Sequence, residues 1–425
     1  MKSSPLAIMV GPALAICLVL TGCGSSSSTG SSPSTSIPAS TPADEHDEHD
    51  HEHDDHGEEG GTKNEDARVP RLAFTHTGGV TVVDATTLKP VKTLDHDGDL
   101  RLRASGNARH PLLDAGTELI PLDLGSWTQA HGDHGDSKTT TPSLGTPLSA
   151  AKVGHVSPNG ELTAIFDDGD GSVEVYNTAD LGKADAKPVR TLTLPPHHGN
   201  AIPLADGALL HSIADGDDAK GIRIIDASGK TLAESTQCPG QHGSAVAKGA
   251  VVIGCEDGVL IVKGTVITKV KAGPAYARIG NLFGSPDQRW VLGDYKLSAD
   301  AKPTQVVVID TETATMKTVD LKAAYTFRGL GITADGDPVV LTNDGNLRVI
   351  HAEHAEVEQT VKVVAPFTEP TDWRQPRPTL YTQGHWAYVT DPATKKVHGI
   401  ELSVGKVMVT GTLPHTPNEV VGTLG

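Results

Sequence analysis

Pro195-Pro196-His197-His198-Gly199-Asn200 leads straight into a short apolar run, residues 201–204, which ends at the turn pair Asp206-Gly207. Similar words recur along the chain. Gly240-Gln241-His242-Gly243 precedes another short run, Val153-Gly154-His155 precedes the turn word Ser157-Pro158-Asn159-Gly160, and Pro414-His415 stands near the C-terminal end. Asp95-His96-Asp97-Gly98-Asp99 aligns without a gap on Pro196-His197-His198-Gly199-Asn200, which sets Asp97 where His198 stands. An imidazole or a carboxylate thus returns at one point of a repeating unit, and the nature of that unit decides the fold.

From about residue 71 onward the chain carries many short β-rich runs and no long helical pattern. One strand type is easy to follow: a β-branched run that ends near a polar residue, then a turn, then another strand. It occurs at 80–84, 118–123, 173–177, 222–226, 260–263, 306–310, 347–351 and 397–401, and the last residues of these runs are 39, 54, 49, 37, 47, 41 and 50 apart. Self-similarity at 40–50 residues with four short strands per unit is the signature of an all-β β-propeller. Eight blades are expected, or seven if the degenerate second unit is not a blade. Residues 407–413 read as a strand of the last unit. Residues 415–424 read as an inner strand that completes the first blade, a closure that removes free sheet edges.

In a propeller the segment leading into each innermost strand lies at one mouth of the central channel. The alignment places His415, Asp97, His155, His198 and His242 there in units one to five. Units six to eight bring Tyr276 with Arg278, Tyr325 with Arg328, and Trp373 with Arg374. One arc of the mouth is therefore imidazole and carboxylate, and the other is arginine and aromatic. Three histidines from neighbouring blades and an Asp are a ligand set that tetrahedral Zn2+ accepts. The alternative is structural, since propeller repeats often keep a histidine near this point that bonds an Asp of a neighbouring turn. His197 and His96 read as partners of the ligating residues or as solvent-facing. A further word, His131-Gly132-Asp133-His134, falls in what reads as a mobile loop after the second unit's marker strand. There His131, Asp133 and His134 either gather metal or merely decorate a loop.

The N-terminal residues are not fold. Lys2 is followed by an apolar run, 6–20, and then Leu20-Thr21-Gly22-Cys23. This pattern reads as a lipoprotein signal, 1–22, whose cleavage leaves an acylated Cys23; an ordinary signal peptide or a short anchor is the alternative. The mature chain is then extracytoplasmic and lipid-anchored to the cell membrane. Residues 23–69 read as a disordered tether ahead of a propeller domain at 70–425. The tether includes DEHDEHDHEHDDHGEE at 44–59, with His46, His49, His51, His53 and His56. Residues 44–66 hold twelve acids against one lysine, so this stretch supplies most of the net charge of −18 and the remainder is only mildly acidic. Such a run resists folding. A solubilising spacer needs no histidine, whereas His-rich tracts bind metals. Of four cysteines, Cys17 leaves with the signal and Cys23 is lipidated. Cys238 and Cys255 read as a disulfide in an oxidising exterior, with thiolate metal ligation as the competing reading.

The tail, the loop word HGDHGD, and the His-Gly words HHGN and QHGS ahead of propeller strands resemble the extracytoplasmic zinc metallochaperones of the AztD type, over about residues 45–425. The resemblance implies an exported β-propeller that is not an enzyme and that hands Zn2+ to the solute-binding protein of a zinc ABC transporter. It implies metal ligation by His155, His198 and His242, and less directly by Asp97, His415 and the loop. The lipobox departs from a freely diffusing chaperone and implies tethering. The chain reads as a monomer with no nucleic-acid partner. Rival classes are a metal-dependent lyase or hydrolase using an open zinc position, and an adhesion or scaffold propeller. The first finds no GxSxG, HExxH or CxxCH to support it, and the second leaves the His tail unexplained. The choice between zinc and copper is set by supply and geometry rather than by affinity order.

Overall fold

The computed structural model describes residues 61–425 except 132, 133 and 217. The expected signal, Cys23, the five tail histidines and Asp133 lie outside the described residues.

The described chain is a succession of antiparallel meanders. The first sheet holds Arg71–His76, Gly79–Asp84 and Pro90–Asp95. The second is built on Arg101–Arg103, Leu112–Asp114 and Glu118–Asp123, and its outer edge is made by two short pieces, Ser143–Leu144 and Leu148–Ser149. Six four-stranded sheets follow, opening at Val153, Ala201, Ser244, Leu282, Tyr325 and Leu380. Val420–Thr423 then returns to pair with Arg71–His76, with Phe74 opposite Val420 and Arg71 opposite Thr423. The N- and C-terminal strands thus share one sheet, as expected.

Every run used as a marker falls on the third strand of its sheet, and the reason is physical. Both faces of that strand are covered in most sheets, so its sequence is largely apolar, with Glu174, Arg348 and His398 among the exceptions. Val306 and Val308 pack toward the next sheet, with Leu330, Val340 and Ile350, while Val307 and Ile309 pack toward the previous one, with Val252, Val259 and Ile261. Each fully buried Val or Ile contributes roughly 1.5–3 kcal/mol. Several of these strands end in an Asp whose carboxylate caps the following turn. Asp84 accepts from the backbone N–H groups of Thr86 and Thr87, and Asp226 from those of Ser228 and Lys230. That arrangement ends the strand and starts the fourth.

The apolar clusters run between successive sheets. The last sheet also packs on the first, through Tyr388 and Val397 against Leu72, Phe74 and Val83. Sheets that pack face to face in sequence and return on themselves make this an all-β propeller. Because neighbouring strands are antiparallel, the segments leading into first strands share one end of the sheets with the turns joining second to third strands. The turns joining third to fourth strands lie at the other end.

One excursion leaves this plan. Ser126–His131 and His134–Thr139 form a hairpin after the third strand of the second sheet, and Lys63–Glu65 adds a third strand to it. The segment read as a mobile loop is therefore β structure. Its glycines and polar residues hid the pairing, which is supplied by a strand from residues expected to be tether. The Thr139 hydroxyl donates to Glu65 across this pairing. The backbone sets His131 opposite His134. Among the described residues no helix is long and apolar enough to cross a membrane.

Candidate metal centre

His198 and His242 come from the segments leading into the first strands of the fourth and fifth sheets, and His155 comes from the first strand of the third. Their nearest ring nitrogens all lie within 4.8 Å of one another. His155 sits where the pairing of Val153–Asn159 slips between Val153 and Val156, and a bulge of this kind re-aims a side chain. His198 and His242 precede their strands by three and two residues.

Each ring is held from behind. Nδ1 of His155 donates to the Gly199 carbonyl at 3.0 Å, and Nδ1 of His242 donates to the Gly280 carbonyl at 2.8 Å. Nδ1 of His198 donates to Asp168 Oδ2 at 2.6 Å, from a carboxylate that is 5% exposed. Carbonyl and carboxylate oxygens only accept, so every Nδ1 carries its hydrogen and every Nε2 keeps a lone pair. The three Nε2 atoms are left to face one another, and those of His198 and His242 are 3.3 Å apart. Two lone pairs at that distance require a proton or a cation between them. Two nitrogens about 2.0–2.1 Å from one tetrahedral zinc lie about 3.3–3.4 Å apart. The spacing of that pair therefore fits the ion, and the bonds behind all three rings are the kind that fix tautomer and orientation in metal sites.

The glycines beside these histidines are needed for close approach. A Cβ on Gly154 would collide with Asp168 Oδ1, and one on Gly199 would lie 2.6 Å from His197 Nε2. His197 is thus packed inside the fourth sheet, bonded to Ser212 Oγ and the Pro195 carbonyl, and not beside the triad. Burial holds the His155 ring well below the ordinary imidazole value of 6.5, and the His198, His242 and Arg103 charges push the same way. Burial also lowers His242, helped by Arg278 and His198 and opposed by its bond to Gly280. Neutral rings are the form a metal ion needs.

Asp97 and His415, expected in the same group, stand elsewhere. Asp97 is exposed. Counted back from the first strand residue, Arg101 against Ala201, it is Gly98 that occupies the place of His198. His415 lies five residues before its strand and stacks on buried His76, with ring centroids 4.0 Å apart. Lead-ins of unequal length do not bring aligned residues to one point. Cys238 and Cys255 are joined as a disulfide between the lead-in carrying His242 and the second strand of the fifth sheet. Among the described residues, these three histidines are the one such cluster of potential metal ligands.

The triad forms one wall of a cavity of about 670 Å3 at the mouth. Arg101, Arg103, Arg328 and Arg374 with Trp373 line the rest. Arg101 and Arg328 both donate to Glu419, which also accepts from the Leu102 backbone N–H. Arg103 is bonded twice to Asp114, and Arg374 pairs with Asp99 at 3.0 Å. The Trp373 ring is flanked by the guanidinium groups of Arg101 at 5.1 Å and Arg374 at 4.5 Å. Of the aromatic residues expected on this arc, Tyr325 is instead buried between the sixth and seventh sheets, its hydroxyl donating to the Gln305 carbonyl. Sequence reasoning missed Asp168, which directly follows the second strand of the third sheet, and Glu419.

Fold and site together define a β-propeller with three imidazoles gathered at one mouth, a group that could hold a metal ion. The zinc chaperone AztD of Citrobacter koseri is 27% identical over 338 residues, which are 75% of this chain and 77% of that protein. The chain resembles that protein as the sequence suggested. A crystal structure of Citrobacter koseri AztD superposes with a TM-score of 0.74 at 24% identity, over 84% of this chain and 98% of that one. Its apo form gives 0.73 with the same coverage. The dihydro-heme d1 dehydrogenase NirN shares the fold more distantly, with a TM-score of 0.53 at 10% identity over 83% of this chain and 74% of that one. No protein-family model matches the chain.

Proposed function

We propose that this chain is a zinc metallochaperone. It binds Zn2+ through Nε2 of His155, His198 and His242 at the mouth of a propeller whose eight successive sheets are its eight blades. It then passes the ion to the solute-binding protein of a zinc ABC transporter. The observation that carries the reading is the convergence of three Nε2 lone pairs whose Nδ1 partners are all fixed. The relative's description as a zinc chaperone supports cargo handling rather than catalysis. Zinc here is cargo, and the exposed side of His198, 49% accessible, gives a receiving protein a place to begin ligand exchange.

The lipobox supports a signal peptide at 1–22 and an anchor at Cys23, which place the domain outside the cytoplasmic membrane. Residues 23–69 tether it, and residues 70–425 form the propeller. His46, His49, His51, His53 and His56 hold zinc loosely through interchangeable ligands and exchange it quickly. Tethering raises their effective concentration near a membrane-bound partner. His131, Asp133 and His134 are an auxiliary capture point. Asp97 and His415 stand apart from the triad and enter only as accessory ligands during exchange. The chain works as a monomer.

The test measures metal content and zinc affinity of the chain lacking residues 23–60. One tightly bound zinc is expected, and the combined His155→Ala, His198→Ala, His242→Ala variant should lose it while keeping its circular dichroism. Retention of tight zinc by that variant overturns the site. Transfer is tested with the apo partner in a chelator that outcompetes free zinc, where transfer abolished by the chelator overturns direct exchange.

A further inference from the structure

The cavity holds more cationic charge than the triad explains. Five basic side chains and three carboxylates line it. Two positive charges are left over, or one once Glu419 behind the wall is counted, and a divalent cargo adds two more. This occurs in a protein of net charge −18. The arginines are not exhausted by their partners. Arg103 gives only Nε and Nη2 to Asp114. Arg328 is 8% exposed, and its Nε is buried without an acceptor. The Arg103 charge already reaches the ring of His155. Three imidazoles leave a tetrahedral ion one further position to fill, and all three of these histidines line the cavity.

We infer that the mouth is a two-part site. The triad holds the cation. The wall of Arg101, Arg103, Arg328 and Arg374 holds a small polycarboxylate anion, one of whose oxygens fills the open coordination position. This rests on the zinc reading and names a second ligand for that site. Guanidinium forks suit carboxylates through paired N–H donors. A carboxylate on zinc is an ordinary hard ligand that leaves more readily than a fourth imidazole, so the anion closes the site in storage and opens it for transfer. A free anion and the chain's own acidic run at 44–59 offer the same carboxylate chemistry, and the titration separates the two.

The full chain is loaded with cobalt(II) and titrated with succinate at constant ionic strength, reading the visible d–d bands. A saturable change is expected, with acetate at least about tenfold weaker because one carboxylate cannot serve both walls. Arg374→Ala and, separately, Arg103→Gln should each weaken succinate about tenfold. A chain that loads cobalt but ignores succinate overturns this inference alone, as does equal succinate affinity in both variants. A chain that takes up no cobalt overturns the zinc reading and this inference with it. If replacing the Asp and Glu residues of 44–59 by Asn and Gln, with every histidine kept, tightens succinate binding several-fold, the acidic run is the occupant and the free anion is overturned.

Discussion

The two arcs of the mouth are made from the same kind of segment and are held in opposite ways. On the histidine arc each ring is fixed by a bond from a neighbouring sheet's backbone or, for His198, by Asp168, and nothing charged is committed to the reacting side. On the arginine arc the side chains that line the cavity are themselves the structural members. Arg101 and Arg328 meet on Glu419, which stands one residue before the closing strand. The difference teaches that the first arc can lose its cargo without loss of structure, whereas the second cannot lose a partner cheaply.

The largest effect should come from breaking the second arc. Glu419→Ala leaves buried Arg328 without its carboxylate, and a buried pair broken on one side costs about 3–5 kcal/mol. Denaturant unfolding should show that loss. An equally large loss of stability in the histidine triple variant would erase the contrast between the arcs. Next, replacing Cys238 and Cys255 by Ser removes a staple spanning 17 residues. The expected cost is about 3 kcal/mol. Saturating zinc should restore part of it, because ligand bound only to the folded state adds stability by mass action. No recovery on adding zinc would separate the staple from the histidine arc.

Asp168→Asn should act on affinity and little on stability. Loss of the carboxylate behind His198 should weaken zinc binding about 10–100-fold, as removal of such supporting groups does elsewhere. Unchanged affinity would mean that the ring is oriented by packing alone. The smallest effect concerns acid. Burial holds His76 and His211, neither of them in the triad, below 6.5 in the folded chain. An unfolded chain takes up these protons first as pH falls, so stability is full above about 6.5 and declines below it. Melting temperature against pH should show this slope, and His211→Gln should flatten it.

The architecture was legible because third strands are mostly buried and several, such as Gly258–Lys263 and Gln305–Asp310, advertise themselves as nearly continuous apolar runs. The triad was legible because each of its imidazoles stands beside a glycine, Gly154, Gly199 or Gly243, at which a Cβ would collide with its surroundings. Asp97 and His415 illustrate the limit. Sequence alignment counts residues, while the mouth counts distance from a strand, and the expected residues stand from five residues before their strand, at His415, to two residues inside it, at His155. Asp168 was invisible because it comes from a strand end 30 residues ahead of the ring it holds. The hairpin at 126–139 was misread because its partner strand, Lys63–Glu65, lies far away in a polar stretch with no hydrophobic signal.

Glu419 has a temporal meaning as well as a spatial one. It bonds to Thr75 across 344 residues of sequence. A contact of that separation is among the last a chain forms. While a nascent chain still lacks this segment, the six sheets that begin at Val153 can stack, and the three histidines can already meet. The arginine arc cannot yet be set. Newly made protein thus gains the ability to seize an ion before it gains the complete rim around it, and maturation of the cargo site runs from grasp to enclosure.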